Sequence, residues 1–174
     1  NPECRFYQAS SSEMFGNQID PDGFQRETTP MIPVSPYGVS KLAAFNLVKI
    51  YRTAYKLHLA NGILFNHESP RRASNFVTSK VVKTAVEISL GKKQYLELGN
   101  IEATRDWGHS KDYVKAMHKI INLEKPDDYC VATGFNRSVR QLCEFTFDYL
   151  NLNYLNYVKY NENYTRPNEL NSLK

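Results

Sequence analysis

Ser35-Pro36-Tyr37-Gly38-Val39-Ser40-Lys41-Leu42-Ala43-Ala44-Phe45 opens the stretch whose reading decides the fold. A serine followed by a proline is a helix start, with the serine as cap and the proline in the first turn. Leu42, Ala43, Phe45, Leu47, Val48 and Tyr51 then hold one helical face out to about Tyr55. Upstream, Arg5 to Ala9 reads as a strand that runs into Ser10, Ser11, Ser12 and Glu13. Downstream, Ala60 to Phe65 is a short apolar run and reads as a buried strand. Between the first strand and the helix, residues 17–36 carry four prolines and little periodicity, which predicts a surface loop.

The alternation continues outward from this unit. Residues 66–74 read as a polar loop, and Phe76 to Leu90 as a helix stopped by Gly91. Tyr95 to Leu98 is a short strand, and Ser110 is placed as the cap of a helix reaching Ile121. Tyr129 to Ala132 is a strand, Ser138 caps a helix through Tyr149, and Leu155 to Val158 is a last strand. Strands alternating with helices imply an α/β layer architecture with a largely parallel sheet. Ligands of such sheets sit beyond the carboxyl ends of the strands. That points to Ser10–Glu13, Asn66–Arg72 and Gly99–Asp106 as the places to look for chemistry.

Composition narrows the class. The chain has 174 residues, 41% hydrophobic and 23% charged, as a folded globular domain requires. Its formal net charge is +4, with basic residues scattered and not bunched, so no nucleic-acid partner is expected. Cys4, Cys130 and Cys143 are distant from one another and lack metal-ligand spacing; reduced thiols, a cytoplasmic location and no metal are expected. No apolar run approaches membrane-spanning length, so no membrane partner is expected. The sequons at Asn136 and Asn163 are read as chance matches.

Within the helix start, Tyr37 and Lys41 stand four residues apart and so share a face. A nearby ammonium favours the phenolate over the phenol, which lets a tyrosine serve as a base. The strand ending in Ser11-Ser12-Glu13, about 25 residues earlier, completes a layout that resembles the extended short-chain dehydrogenase/reductase family. In that family a hydroxyl residue, a tyrosine and a lysine act together while hydride passes to NAD(P). The resemblance makes Ser11, Tyr37 and Lys41 a triad. Glu13 is the extra feature: a reductase has little use for a carboxylate here, whereas a dehydratase must move a proton from C5 and release water from C6.

Longer runs sharpen the match. Asn61 to Arg72, Asn75 to Lys80, Arg105-Asp106-Trp107-Gly108-His109 with Lys111 to Val114, and Arg166-Pro167 with Glu169 are similar to the GDP-mannose 4,6-dehydratase branch. The resemblance runs from about Phe6 to Leu170. It implies a partial Rossmann-like parallel sheet with a small substrate-binding lobe, residues 1–174 forming one NAD(P)-binding, nucleotide-sugar dehydratase domain. It implies dehydration of GDP-mannose with NADP as cofactor, in a homo-dimer or tetramer. The catalytic set is then Ser11, Glu13, Tyr37 and Lys41. Tyr37, Lys41, His67 and Arg72 contact the cofactor, and Arg71 with Arg72 forms the family's arginine pair. Ser12, Asn66, Lys80, Arg105, Arg166 and Glu169 contact the substrate. Guanidinium forks and ammonium groups suit a diphosphate. Another nucleotide-sugar epimerase or reductase, or a non-catalytic paralogue acting as a binding module, stays open.

Four departures from the family pattern stand out. Ser11 takes the place of a threonine, Ala73 of a glycine and Val34 of a frequent arginine, and the loop over residues 17–26 is slightly longer. The chain also begins in mid-pattern, without the G-x-x-G-x-x-G turn that cradles a dinucleotide pyrophosphate. It reads as shortened at its start, and at its end as well. Only the nicotinamide-ribose end would find partners in these 174 residues. The segment alone is therefore expected to show no dehydratase turnover and to bind NADP more weakly than about micromolar. Calorimetry on the purified segment checks this; micromolar or tighter affinity would refute it.

Overall fold

The computed structural model describes residues 3–165 and 172–173. Strand β1 (Phe6–Ser11) runs through a short 3-10 turn and a long loop into helix α1 (Pro36–Tyr55), which leads to strand β2 (Leu59–Leu64). β1 and β2 are parallel in continuous register from Phe6↔Leu59 to Ser11↔Leu64. β2 also pairs in parallel with β6 (Asp128–Val131) and is thus the central strand of three. Its residues are buried from Ala60 onward, as expected of a parallel strand covered on both faces. Met14, Phe15, Phe45, Ile63 and Phe65 form the core between this sheet and α1.

The central strand carries one buried polar side chain. Asn61 donates to Asp128 Oδ1 at 2.8 Å and to the Phe45 carbonyl at 3.3 Å, and accepts from the Ser10 hydroxyl at 3.4 Å. Arg52, at the far end of α1, bonds Asp128 Oδ1 at 2.9 Å. Helix and sheet are therefore tied by hydrogen bonds as well as by packing. The long loop is also tied: Arg26 bonds Asp20 and Asp22, and Glu27 Oε1 accepts the Cys130 N–H at 2.6 Å.

A second layer begins where β2 ends. Strand β3 (Asn66–Glu68) follows after one residue and pairs in parallel with β5 (Thr104–His109). β5 pairs antiparallel with β7 (Asn136–Ser138) and parallel with β9 (Ser172–Leu173). Strands β4 (Leu96–Leu98) and β8 (Val158–Tyr160) form a separate parallel pair. Helices α2 (Val77–Ser89) and α4 (Val139–Tyr149) pack together around Val81, Ala85, Ile88, Leu96, Leu98, Val139, Cys143 and Phe147. Helix α3 (Ser110–Ile121) contacts the sheet of β1, β2 and β6 and also β3 and β5. The α/β expectation with parallel strands holds, and the lobe around α2 and α4 has a core of its own.

Several local expectations change. Residues 66–74 are not all loop, since β3 lies within them; β5 and β7 were also missed. Three-residue strands are too short to show alternation, and β5 mixes Arg, Asp, Gly and His. His109, not Ser110, caps α3: its ring Nδ1 accepts the Lys111 N–H at 3.1 Å. The strand expected over Leu155–Val158 is β8 and begins only at Val158, because Tyr154–Asn156 turns as a 3-10 helix capped by Asn153. Ser138 caps α4 as expected, in a reciprocal box with Gln141.

One carboxylate joins the layers. Asp106 on β5 is fully buried and accepts from Thr133 N–H at 2.9 Å, Thr133 Oγ1 at 2.9 Å and Gly134 N–H at 2.7 Å, all on the loop leaving β6. Hydrogen bonds to a buried charge are the strong ones, and removing the acceptor leaves its donors unsatisfied. Asp106→Ala is expected to lower stability by about 3 kcal/mol or more, and Asp106→Asn by less. Urea unfolding of the variants measures it. A loss under about 1 kcal/mol for Asp106→Ala would mean that this link does not hold the layers together.

Candidate active site

The carboxyl end of β1 and the start of α1 meet. Ser11 ends the strand in an extended conformation, and its hydroxyl accepts the Glu13 N–H at 3.2 Å, opening the 3-10 turn Ser12–Phe15. Gly16 closes that turn with φ 60°, and a side chain there would strike the Ile32 carbonyl. Gly16 and Ile32 are in fact bridged, so the long loop returns beside the turn it left. Ser35 caps α1, accepting the Gly38 N–H at 3.0 Å, and its hydroxyl donates to Glu13 Oε2 at 3.2 Å. A Cβ on Gly38 would stand 2.8 Å from the Glu13 carbonyl oxygen, so only glycine lets the helix come this close.

This approach brings Ser11, Glu13, Tyr37 and Lys41 together. Lys41 Nζ lies 5.6 Å from the centroid of the Tyr37 ring and donates to the Ala9 carbonyl at 2.9 Å. The ammonium is thus anchored on β1 beside the tyrosine one turn earlier. Tyr37 is half exposed, Glu13 half buried, and Ser11 and Ser12 buried.

A second group lies on β3 and the loop after it. His67 Nδ1 is 2.9 Å from the Phe65 carbonyl. A carbonyl only accepts, so Nδ1 carries the hydrogen of this bond. The imidazole stacks on Tyr113 at 4.7 Å between centroids. Asn66 is half buried beside it on the same strand. Arg72 turns back onto its own segment, with Nε 3.1 Å from Glu68 Oε2 and the guanidinium 3.5 Å from the Phe76 ring centroid. Thr78 also donates to Glu68 Oε2, at 2.7 Å.

A third group lies in the lobe. Lys80 Nζ sits 3.4 Å from the Tyr164 ring centroid, on the wall of a cavity of about 410 Å³ that Lys83, Lys93, Ser74, Asn75, Thr84 and Glu87 also line. Burial pushes the Lys80 ammonium below the ordinary lysine range, against the pull of Glu97. Arg105 on β5 lies directly across the antiparallel ladder from Arg137 on β7. Facing residues of such a pair project to the same side, so two guanidinium-bearing side chains share one face. Arg137 escaped the sequence reading because only the register places it there. Arg166 and Glu169 lie outside the described residues.

Comparison with known proteins gives this arrangement its family. The sequence model described as GDP-mannose 4,6 dehydratase matches residues 1–174. The chain belongs to the GDP-mannose 4,6-dehydratase family. It is 49% identical over 170 residues to GDP-mannose 4,6 dehydratase 1 of Arabidopsis thaliana, covering 98% of this chain and 46% of that one. Against the Homo sapiens GDP-mannose 4,6 dehydratase it is 50% identical over 143 residues, covering 82% of this chain and 38% of that one. It thus spans less than half the length of either family member.

Solved structures share the fold at low identity. The dTDP-glucose 4,6-dehydratase of Bacillus anthracis in complex with NAD superposes with a TM-score of 0.87 at 21% identity, covering 99% of this chain and 52% of that one. RMD of Pseudomonas aeruginosa complexed with NADPH superposes at 0.83 with 23% identity, covering 90% and 53%.

The stack beneath His67 offers a direct test. Burial pushes the Tyr113 phenol above the usual tyrosine range, with a further push from Asp106, so it stays protonated. Its hydroxyl is buried and has no partner among the described residues. Tyr113→Phe is therefore expected to change stability by less than about 1 kcal/mol, whereas Tyr113→Ala should cost about 3–5 kcal/mol. Chemical denaturation distinguishes them; a loss above about 2 kcal/mol for Tyr113→Phe would show that the hydroxyl has a structural partner.

Proposed function

We propose that the complete protein containing this chain dehydrates GDP-mannose to GDP-4-dehydro-6-deoxy-mannose and water, with NADP as its resident cofactor. The observation that carries this reading is the Glu13 carboxylate, hydrogen-bonded at the start of the helix that bears Tyr37 and Lys41. Membership of the GDP-mannose 4,6-dehydratase family supports the substrate. An epimerase or a reductase moves hydride without expelling water, and so has no task for that carboxylate.

The residues divide the work. Tyr37 takes the proton of the C4 hydroxyl, with Lys41 supplying positive charge beside the ring and Ser11 offering its hydroxyl to the same oxygen. A bound nicotinamide would accept hydride from C4 and later return it to C6. Once C4 is a ketone, the C5 proton is acidic and Glu13 removes it. The C5–H electron pair becomes the C5=C6 double bond as the C6–O bond breaks. The departing hydroxide takes a proton from Glu13 or Ser11 and leaves as water. The returned hydride at C6 and a proton at C5, balanced by the one Tyr37 took from the C4 hydroxyl and passes on, would then restore saturation.

The described residues suit the nicotinamide-ribose end of a dinucleotide. Tyr37 and Lys41 offer a hydroxyl and an ammonium, and His67 offers Nε2. Arg72 joins them on release from Glu68. The substrate diphosphate would lie against Arg105, with Arg137 facing it, and Lys80 is a further contact in this reading; like charges placed directly opposite favour an anion between them. Ser12, Asn66, Arg166 and Glu169 complete the substrate contacts in this reading.

We extend the proposal to a homo-oligomer in the cytoplasm. Val39, Leu47 and Ile50 lie on the outer face of α1 at 55–56% exposure, an apolar stripe suited to a second copy. All three cysteines are free, which suits a reducing compartment. No helix among the described residues is long and apolar enough to cross a membrane.

In the complete protein, Tyr37→Phe is expected to abolish oxidation at C4, so no reduced nicotinamide forms. Glu13→Gln should permit that oxidation but slow overall turnover by about 100- to 10,000-fold, with reduced nicotinamide accumulating. Rapid-mixing absorbance and product analysis record both. Ordinary turnover by Glu13→Gln would remove the dehydratase reading in favour of an epimerase or reductase.

A further inference from the structure

Ser35 stands between the two halves of the site. Its backbone is extended, with φ −134° and ψ 151°, and its hydroxyl oxygen accepts the Gly38 N–H at 3.0 Å to cap α1. The same hydroxyl gives its one hydrogen to Glu13 Oε2 at 3.2 Å. A serine hydroxyl has one hydrogen and two lone pairs, so it fills both roles at once.

Glu13 is thereby held at two ends. Its N–H is tied to the Ser11 hydroxyl at 3.2 Å, and its carbonyl oxygen is pressed against Gly38. Its carboxylate is tied at Oε2. Three side-chain torsions lie between backbone and carboxylate, and fixing both ends removes most of their freedom. Oε1 has no partner among the described residues, so it is the oxygen left to meet a substrate.

We propose that Ser35 is a positioning residue for Glu13, holding Oε2 so that Oε1 is turned outward as the proton acceptor. The proposal rests on the reading of Glu13 as the base at C5. A base within hydrogen-bond reach of its proton works only from a narrow range of positions, and displacement by about 1 Å can cost about 100-fold. In the step concerned, the C5–H bond breaks, its proton passes to Oε1, and its electron pair moves to C5=C6 as the C6–O bond breaks. Ser35 gains and loses no proton.

Cap and tether can be separated. Glycine caps a helix almost as well as serine but has no hydroxyl, and aspartate caps as well as serine but has no hydrogen to give when ionised. The experiment uses the complete protein with NADP and GDP-mannose. Ser35→Gly is expected to keep its thermal midpoint and its KM for the sugar nucleotide, while kcat falls by about 100-fold. Reduced nicotinamide should accumulate during turnover, because oxidation at C4 precedes the step that Glu13 serves. Exchange of the C5 proton with solvent deuterium should slow in the same ratio. Ser35→Thr should recover most of the lost rate, and Ser35→Asp should repeat the loss with the helix capped.

Three outcomes overturn the proposal: wild-type kcat in Ser35→Gly or Ser35→Asp, a fall in kcat without accumulation of reduced nicotinamide, or a folded Ser35→Thr enzyme as slow as Ser35→Gly. Glu13→Gln run alongside separates the two levels. Normal turnover in Glu13→Gln removes the reading of Glu13 and the proposal with it. A blocked Glu13→Gln enzyme beside a normal Ser35→Gly enzyme removes the positioning role alone.

Discussion

The close approach of Gly38 to the Glu13 carbonyl is the constraint on which the site depends. A Cβ at Gly38 would stand 2.8 Å from that oxygen and 2.8 Å from the Pro33 Cβ, closer than packed atoms settle. With a hydrogen there instead, the first turn of α1 lies directly on the turn that carries Glu13. Tyr37 and Lys41 then arrive beside β1, where Lys41 reaches the Ala9 carbonyl. The buried cluster of Met14, Phe15 and Phe45 fixes both elements from below. The geometry that joins Glu13, Tyr37 and Lys41 thus follows from one missing side chain and a small apolar core.

What the sequence alone could reveal follows from the range of each signal. Helix α1 was legible because its cap and its proline lie within one window of chain. The same holds for α4, whose Ser138 and Gln141 are three residues apart. The face of α1 was not read correctly: Leu42, Phe45 and Val48 turn to the core, whereas Ala43, Leu47 and Tyr51 are exposed. β3, β5 and β7 were not legible: two are three residues long, and β5 carries Asp106 as its buried residue where a hydrophobic one is expected. The choice of Ser110 over His109 as a cap failed because a histidine ring nitrogen can accept a helix N–H, although caps are usually oxygens.

The site residues divide in the same way. Tyr37 and Lys41 share a helix face by spacing, and Ser11 with Glu13 follows a strand end, so local rules reach them. Ser35 was seen as a cap, but its second bond spans 22 residues and has no local signature. Asp106 and Thr133 are 27 residues apart, and Arg137 meets Arg105 only through an antiparallel register. Such partners depend on which strands become neighbours, which is settled by packing and not by the residues adjacent in the chain.

The two cores give the site a division of labour. The groups around Glu13 and Tyr37 rest on the sheet of β1, β2 and β6, whereas Lys80 stands on α2, whose packing against α4 forms the other core. The layers meet at the continuous run from β2 into β3 and at the Asp106 cradle on the loop leaving β6. Mutations far apart with no shared partners act almost independently. Changes within the lobe can therefore leave the Glu13–Ser35 geometry intact. A change at Asp106 reaches both, because it loosens a fully buried carboxylate that ties β5 to the loop leaving β6.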